Sequence, residues 1–188
     1  MGEKIKKIII ALTGASGINY GVEFLKELKG KAETHLILSE WAEKLIKEET
    51  EYSKEEILKI ADFVHGYKEM DSIIASSSFK SDAMIIIPAT IKTVSGIANA
   101  QLDNLITRTA DNTLKMKKKL IICIRETPLS VPALEQMHKL GLAGAIVLPL
   151  SPGFYHKPKT IKDLTDFITV KIFDLLEIES DKIKRWKQ

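Results

Sequence analysis

Apolar and polar residues alternate along the chain with two periods, one typical of buried strands and one typical of helices. Residues 7–12 (KIIIAL) form an apolar, β-branched run of strand length. Apolar side chains then recur at helical spacing from Ile18 to Leu28, and Gly30 follows where a helix would stop. Repetition of this strand–turn–helix unit favours a parallel sheet with crossover helices.

Later segments repeat the same two patterns. Ser53 and Glu56 stand at capping-box spacing and open a predicted helix that continues to Phe63, and Thr160 and Asp163 open the last long helix. We expect further strands at residues 33–38, 73–75, 83–87, 120–124 and 145–148, and further helices at residues 93–118 and 131–140. Because the strands are apolar on both sides, the pattern predicts an α/β fold, with a three-layer, mostly parallel twisted sheet and helices on both faces. It is Rossmann-like or flavodoxin-like and forms a single domain over residues 1–188.

Composition narrows the class of protein. Of 188 residues 45% are apolar, and 28 Lys and Arg against 25 Asp and Glu leave a net charge of +3, so disorder is excluded. The longest uncharged stretch, residues 140–155, is shorter than the roughly 18 residues of a membrane span. No nucleic-acid motif accompanies the mild basicity, and no secretory pattern begins the chain. We therefore expect a cytoplasmic protein that binds neither a membrane nor nucleic acid.

Few side chains suit metal or nucleophile chemistry. The single cysteine, Cys123, falls within a predicted strand, which favours a core role over a nucleophilic one. The four histidines are scattered without metal-ligand spacing, so no metal cofactor is expected. A Gly-x-Ser-x-Gly nucleophile elbow is absent, which argues against a serine hydrolase.

Ligands of parallel α/β sheets bind beyond the carboxyl ends of the strands. The residues that directly follow the predicted strands are rich in hydroxyls, backbone amides and cations: Gly14-Ala15-Ser16, Ser39, Thr90 through Thr93, Arg125-Glu126, and Phe154 through Lys157. This set predicts a pocket for an anionic organic ligand, most naturally one that carries phosphate. The turn from Gly14 to Gly17 matches neither the dinucleotide fingerprint nor a P-loop. Either its glycines serve only the turn geometry, or its amides and the Ser16 hydroxyl receive a phosphate.

Two other junctions also leave alternatives open. Thr90 and Thr93 are either helix caps or, together with Lys92, ligands for phosphate or ribityl hydroxyls. Arg125 and Glu126 either pair with each other, or act in a cleft as an anion clamp and an acid.

Seven segments, spread over nearly the whole chain, carry a resemblance to a known family. They are Thr13-Gly-Ala-Ser-Gly17, Ala75-Ser-Ser-Ser-Phe79, Pro88-Ala-Thr-Ile-Lys-Thr93, Gly96-Ile-Ala-Asn99, Asp103-Asn-Leu-Ile-Thr-Arg108, Arg125-Glu-Thr-Pro-Leu129 and Phe154-Tyr-His-Lys-Pro-Lys-Thr160. In this order and spacing they resemble the flavin prenyltransferases, the UbiX/Pad1 group within the flavin-binding decarboxylase-like flavoproteins. The last two segments are the most specific.

The resemblance implies a reaction. Members of the family join a dimethylallyl group from dimethylallyl phosphate to reduced FMN, first at N5 and then at C6, without a metal. The prenylated FMN serves a UbiD-type decarboxylase, and members form homo-oligomers, namely dodecamers, with the flavin near subunit contacts.

The resemblance also assigns roles to individual residues. It implies FMN contacts at Gly14, Ala15, Ser16, Ser39, Thr90, Ile91, Lys92, Thr93 and Arg125. It implies substrate contacts at Tyr155, Lys171 and Trp186, and catalytic positions at Glu126, Glu49, Lys115 and Arg108. Arg108 and Lys115 lie seven residues apart on one predicted helix, so both can face one cavity. We expect Glu126 to transfer the proton.

Four departures from the family pattern accompany the resemblance. Ala89-Thr90-Ile91 replaces the usual Cys-Ser-Met, Ser77 replaces a glycine, Lys171 stands where many members carry Arg, and Trp41 occupies a position that is usually small or basic. Two other functions stay open: an FMN-dependent decarboxylase of the sister branch, and a non-catalytic FMN carrier. The sequence does not decide between a monophosphate and a diphosphate prenyl donor.

Overall fold

The computed structural model describes residues 6–180 and residue 182. Its strands are β1 (Lys7–Leu12), β2 (Glu33–Leu38), β3 (Phe63–His65), β4 (Ala83–Ala89), β5 (Lys119–Ile124) and β6 (Ile146–Pro149). Its α-helices are α1 (Ile18–Leu28), α2 (Glu40–Glu49), α3 (Lys54–Leu58), α4 (Ile91–Ala98), α5 (Leu105–Lys115), α6 (Val131–Leu142) and α7 (Ile161–Leu176). None of the helices within the described ranges has the length and apolar character needed to cross a lipid bilayer.

The strands pair in parallel throughout, in the order β3-β2-β1-β4-β5-β6. The predicted Rossmann-like or flavodoxin-like sheet is thereby confirmed. The chain runs from β1 to β2 on one side and returns to β4 on the other, so the topological switch point lies between β1 and β4. All strands end at the same edge of the sheet, which we call the carboxyl edge.

Successive side chains of β1 face opposite layers, as the pleat of a strand requires. Ile8 and Ile10 are fully buried in a cluster that includes residues of α1 and α7. Ile9 is buried on the other face with residues of α4 and α5. Because helices cover both faces, the strand carries no polar alternation, which explains the continuous apolar runs in the sequence.

The region between α2 and β4 differs from the expectation. The capping box of Ser53 and Glu56 is present, but α3 ends at Leu58 and Phe63 begins the edge strand β3. The predicted helix to Phe63 is therefore wrong, because pairing of β3 with β2 overrides the local apolar spacing. Residues Ile73–Ala75 form a short 3-10 helix rather than the predicted strand.

The predicted helix over residues 93–118 is two helices, α4 and α5, separated by residues 99–104. The break is set by Asn104, whose side chain caps α5 by accepting a hydrogen bond from the Thr107 amide at 3.1 Å. Ala100, within the break, has a left-handed φ of 53°. These features end one helix and start another in a new direction.

Gly21 lets α1 pack directly on the backbone of β4. A Cβ at this position would lie 2.3 Å from the Ile87 carbonyl oxygen, whereas a Cβ on Gly141 in α6 would meet nothing within 4 Å. We expect Gly21→Ala to lower the free energy of unfolding by about 2 kcal/mol, because it overpacks the core. The matched control Gly141→Ala should raise it by about 0.5 kcal/mol. Urea denaturation of both variants checks this, and equal effects would refute the close contact.

Candidate active site

One hydroxyl holds together the turns that follow β1 and β4. Thr13 is 2% exposed, and its Oγ1 donates to the Pro88 carbonyl at 2.7 Å and accepts from the Thr90 amide at 2.9 Å. The two central turns of the carboxyl edge are therefore fixed against each other at the switch point. Sequence analysis did not identify Thr13 as a site residue, and its place before a glycine turn was the only available signal.

The turn after β1 presents Ser16 to solvent. A Cβ on Gly14 would lie 2.3 Å from Cβ of Trp41, so glycine allows α2 to approach the turn. Ala15 is buried, and its amide donates to the Thr13 carbonyl at 2.9 Å. Ser16, by contrast, is exposed.

The N-terminus of α1 is capped by a carboxylate from another helix. Glu49, the last residue of α2, accepts hydrogen bonds through Oε2 from the amides of Gly17 at 2.7 Å and Ile18 at 3.1 Å. A negative charge is favourable there because the helix dipole places partial positive charge at this end. In this structure Glu49 therefore occupies the amides of Gly17 and Ile18, and the alternative that the turn and the Ser16 hydroxyl receive a phosphate stays a prediction.

Arg125 meets the same turn from β5. Its Nε donates to the Ser16 carbonyl at 3.0 Å, so Arg125, Ser16 and Glu49 converge around Gly17 from three different elements. Glu126 is exposed. Its Oε1 accepts a hydrogen bond from the amide of the next residue, Thr127, at 3.2 Å. No ion pair between Arg125 and Glu126 exists in the described structure, which disfavours the alternative that they only neutralise each other.

Two more helices begin at the carboxyl edge with hydroxyl caps. Ser39 accepts a hydrogen bond from an amide in the first turn of α2 at 3.1 Å. Thr90 caps α4 by accepting from the Thr93 amide at 3.1 Å, and the two threonine hydroxyls are 3.0 Å apart. The capping role of Thr90 is thus confirmed. In the first turn of α4, Ile91 is half-buried and Lys92 is exposed.

The two predicted substrate contacts of the C-terminal region share one aromatic ring. Tyr155 packs edge-on against Phe167, with ring centroids 5.8 Å apart, and Lys171 Nζ lies 5.5 Å from the centroid of the same ring. Tyr155 follows β6 and Lys171 lies on α7, so tertiary packing brings them together. Sequence analysis missed Phe167. Trp186, the third predicted contact, lies outside the described residues.

Within one chain, α5 does not bring Lys115 to the carboxyl edge. Lys115 ends α5 and pairs with Asp111 at 2.8 Å, four residues before β5 starts at the opposite edge. Since a six-residue strand spans about 20 Å, Lys115 and Glu126 are about that far apart. Arg108 Nε donates to the Ala75 carbonyl at 3.3 Å. Both cations lie on one helix, as expected, but they form a separate group.

The remaining chemistry-bearing side chains have local roles. Cys123 is fully buried and burial raises the pKa of its thiol, in agreement with the predicted core role. Beside Ser39, Glu40 pairs with exposed Lys68, whose hydrogen bond holds the pKa of the Glu40 carboxyl below its usual value. Over residues 6–180 and 182, no three His, Cys, Asp or Glu side chains are arranged to hold a metal ion.

Hydroxyls, amides and one arginine lie around the switch point between β1 and β4, which is where parallel α/β sheets bind their ligands. The model of the Flavoprotein family matches residues 2–173 of the chain. Flavin prenyltransferase UbiX from Methanocaldococcus jannaschii is 44% identical over 180 residues, which cover 96% of this chain and 98% of that relative.

Two solved structures are similar over the whole fold. A crystal structure of AnUbiX (PadA1) with FMN and dimethylallyl pyrophosphate has a TM-score of 0.96 at 38% identity and covers 98% of this chain and 99% of its own. A dodecameric FMN-dependent UbiX-like decarboxylase from Escherichia coli O157:H7 has a TM-score of 0.94 at 38% identity, with 97% and 100% covered. The chain belongs to the flavin prenyltransferase (UbiX/Pad1) family of flavoproteins, as the sequence motifs predicted.

The Thr13 bridge predicts the effect of an isosteric substitution. In Thr13→Val the Thr90 amide loses its acceptor. The Pro88 carbonyl still accepts a hydrogen bond from the backbone amide of residue 13, at 3.2 Å. We expect the free energy of unfolding to fall by about 1–3 kcal/mol, the cost of one unpaired buried donor. The control is Thr165→Val, since buried Thr165 donates only to a carbonyl of its own helix. If both variants unfold at the same urea concentration, the bridge is not structural.

Proposed function

We propose that this protein is a flavin prenyltransferase that joins the dimethylallyl group of a prenyl phosphate ester to reduced FMN, first at N5 and then at C6. The observation that carries the proposal is the near-complete superposition on a protein crystallised with both FMN and dimethylallyl pyrophosphate, at a TM-score of 0.96. Seven motifs matching the family in order and spacing support it independently.

The carboxyl edge fits a flavin mononucleotide. Hydroxyls of Ser16, Ser39 and Thr93, the backbone of Gly14 and Ala15, and Arg125 and Lys92 supply donors and cations that suit ribityl hydroxyls and a phosphate. Thr90 and Ile91 complete this set. When bound, reduced FMN supplies the nucleophilic N5 and C6 atoms. The residues of this edge bind and orient it.

Cations are needed where the prenyl phosphate ester breaks. Departure of the phosphate places negative charge on its oxygens, and fixed cations stabilise that charge without a metal. We assign this task to Arg108, Lys115 and Lys171, with Tyr155 as a further contact and Trp186 as the residue that closes the site. Since Lys115 lies at the opposite edge of its own sheet, a neighbouring copy has to supply this cation. A homododecamer, the assembly of the Escherichia coli O157:H7 relative, would bring copies together in this way.

Glu126 is the proposed proton-transfer group. It lies directly after β5 and is exposed, and among the described residues only the Thr127 amide donates to it and no cation pairs with it. A carboxylate in this position can accept the proton released at C6 during ring closure. Glu49 supports the site by fixing the turn that carries Ser16. We further propose that the prenylated product is passed to a UbiD-type decarboxylase.

A second candidate is an FMN-dependent decarboxylase, the description carried by the Escherichia coli O157:H7 relative. The two functions make different demands on the site. A decarboxylase releases no phosphate and needs no side chain to bind one. In this chain Tyr155 and Lys171 both pack against the Phe167 ring, which suits the phosphate contacts that we propose for them. A non-catalytic FMN carrier has even less need of these side chains. The prenyltransferase is therefore favoured over both.

The first test is the reaction itself. We expect anaerobic incubation of the protein with reduced FMN and dimethylallyl monophosphate or diphosphate to add one C5H8 unit to the flavin, detected by mass spectrometry. The reaction should persist in EDTA, because protein cations replace a metal. Comparison of the two donors also reveals which phosphate ester is used. Bound FMN without a mass gain from either donor would contradict the proposal and leave a decarboxylase or carrier.

The second test isolates proton transfer. Glu126→Gln should bind FMN with unchanged affinity but lower kcat by about 100-fold, the usual contribution of a general acid–base group. The matched control is Glu135→Gln, which removes an exposed carboxylate on α6. Single-turnover mass spectrometry gives kcat, and flavin fluorescence gives the affinity. An unaltered rate in the Glu126 variant would remove that residue from its assigned role.

A further inference from the structure

A line of partly buried hydrogen bonds joins β2, through the last residue of β3, to the 3-10 helix. The distances are 3.0 Å from Glu33 Oε1 to His35 Nε2, 2.9 Å from His35 Nδ1 to His65 Nε2, and 2.8 Å from His65 Nδ1 to Ser72 Oγ. His35 is 3% exposed and Ser72 is 6% exposed. We call these four residues the histidine network.

Aromatic packing fixes the rings of this network. His35 stacks on Phe63 at 4.8 Å and 12° and on His65 at 5.2 Å and 18°, and it meets the edge of Phe79 at 4.9 Å. A ring held on three sides cannot rotate freely, so the nitrogen positions are set by the fold.

The hydrogen bonds of the network have one direction. A carboxylate only accepts, so His35 donates to Glu33 from Nε2. A neutral His35 then accepts at Nδ1 from His65, and a neutral His65 accepts at Nδ1 from the Ser72 hydroxyl. Lys7 Nζ also donates to Glu33 at 2.7 Å, and this bond, followed by that of His35, lowers the pKa of the Glu33 carboxyl. Two neutral histidines therefore satisfy every polar atom in the line.

The network continues to Arg108 through the 3-10 helix. The Ser72 carbonyl accepts from the Ala75 amide at 2.9 Å. The Ala75 carbonyl accepts from Arg108 Nε at 3.3 Å and from Asn112 Nδ2 at 2.7 Å. The guanidinium of Arg108 is thus anchored by a segment whose own position depends on Ser72.

We infer that the histidine network positions the Arg108 guanidinium through Ser72 and the Ala75 carbonyl, so that acid, by breaking the network, displaces this arginine. The inference rests on the proposed function for the catalytic role of Arg108. His65 and Ser72 are positioning residues, since they act on the site only through Arg108. The network contributes to the prenyl-transfer site because it holds in place a cation that stabilises the leaving phosphate.

The acid sensitivity follows from the geometry. If both histidines are protonated, His35 Nδ1 and His65 Nε2 each carry a hydrogen, and the 2.9 Å bond between them cannot form. The charged groups that face the pair are Glu33 on β2, Lys7 on β1 and Glu69 after β3. Burial, followed by the charge of His35, lowers the pKa of His65 from 6.5, against a smaller opposing effect of Glu69. Protonation of His65 alone leaves every bond in place, because its Nδ1–H can then donate to the Ser72 hydroxyl, so the network breaks only when both rings are charged. Since the folded-state pKa of His65 is lowered, the network is intact above 6.5 and its loss requires a lower pH.

Two variants separate positioning from a general structural role. Ser72→Ala and His65→Gln should lower kcat about tenfold near neutral pH, because Arg108 shifts, while the affinity for FMN stays unchanged. As the pH falls from about 7.5 to about 5.5, the ratio of wild-type kcat to Ser72→Ala kcat should fall toward one, because acid breaks the network in the wild type as well. Use of the ratio cancels titrations that are common to both proteins. His138→Gln, an exposed histidine on α6, is the control and should behave as wild type. Folded variants with wild-type kcat and a constant ratio would overturn the inference.

Hydrogen exchange tests the same link without turnover. In the full-length protein, mass spectrometry should show faster exchange in residues 72–76 and 105–112 together, both in Ser72→Ala and in wild type at about pH 5.5 after correction for intrinsic rates. This result supports the inference even if the protein transfers no prenyl group. Unchanged protection in wild type at the lower pH overturns it, whether or not the variants fold.

Discussion

The approach of two turns, after β1 and after β4, is the constraint on which the carboxyl edge depends. Past the ends of the strands the ladder no longer supplies partners, and a buried backbone amide without a partner is costly. Thr13 solves this with one hydroxyl that accepts from Thr90 and donates to Pro88. Since α1 and α4 both start from these turns, the positions of Ser16 and Thr93 follow from that contact.

Three helix N-termini are gathered at this edge, and each is satisfied by a different side chain. Glu49 caps α1, Ser39 caps α2 and Thr90 caps α4. The edge therefore carries the positive ends of three helix dipoles, which favours an anionic ligand without a dense cluster of lysines. The carboxylate of Glu49 already neutralises one of these ends, so the other two contribute more of the positive potential.

The functional groups of one chain fall into separate sets. One set surrounds the turns of the carboxyl edge, another contains Tyr155 and Lys171 around Phe167, and a third lies on α5 with Arg108 and Lys115. A strand about 20 Å long separates the two edges of the sheet, so no side-chain rotation can bring Lys115 to the first set. Under the proposed function, a neighbouring copy has to supply Lys115, and the internal supports of α5 then bear on the chemistry of that copy.

The sequence by itself determined the α/β class, most elements and the edge that carries the ligand, because buried parallel strands leave unmistakable apolar runs and ligands collect at the strand ends. Family motifs predicted individual site residues. Only the tertiary structure decided that Glu49 caps α1, that Thr13 joins two turns and that Phe167 unites Tyr155 with Lys171. It also replaced a predicted helix end with strand β3, which completes the histidine network. These features depend on contacts between residues far apart in the chain, and local periodicity carries no information about such pairs.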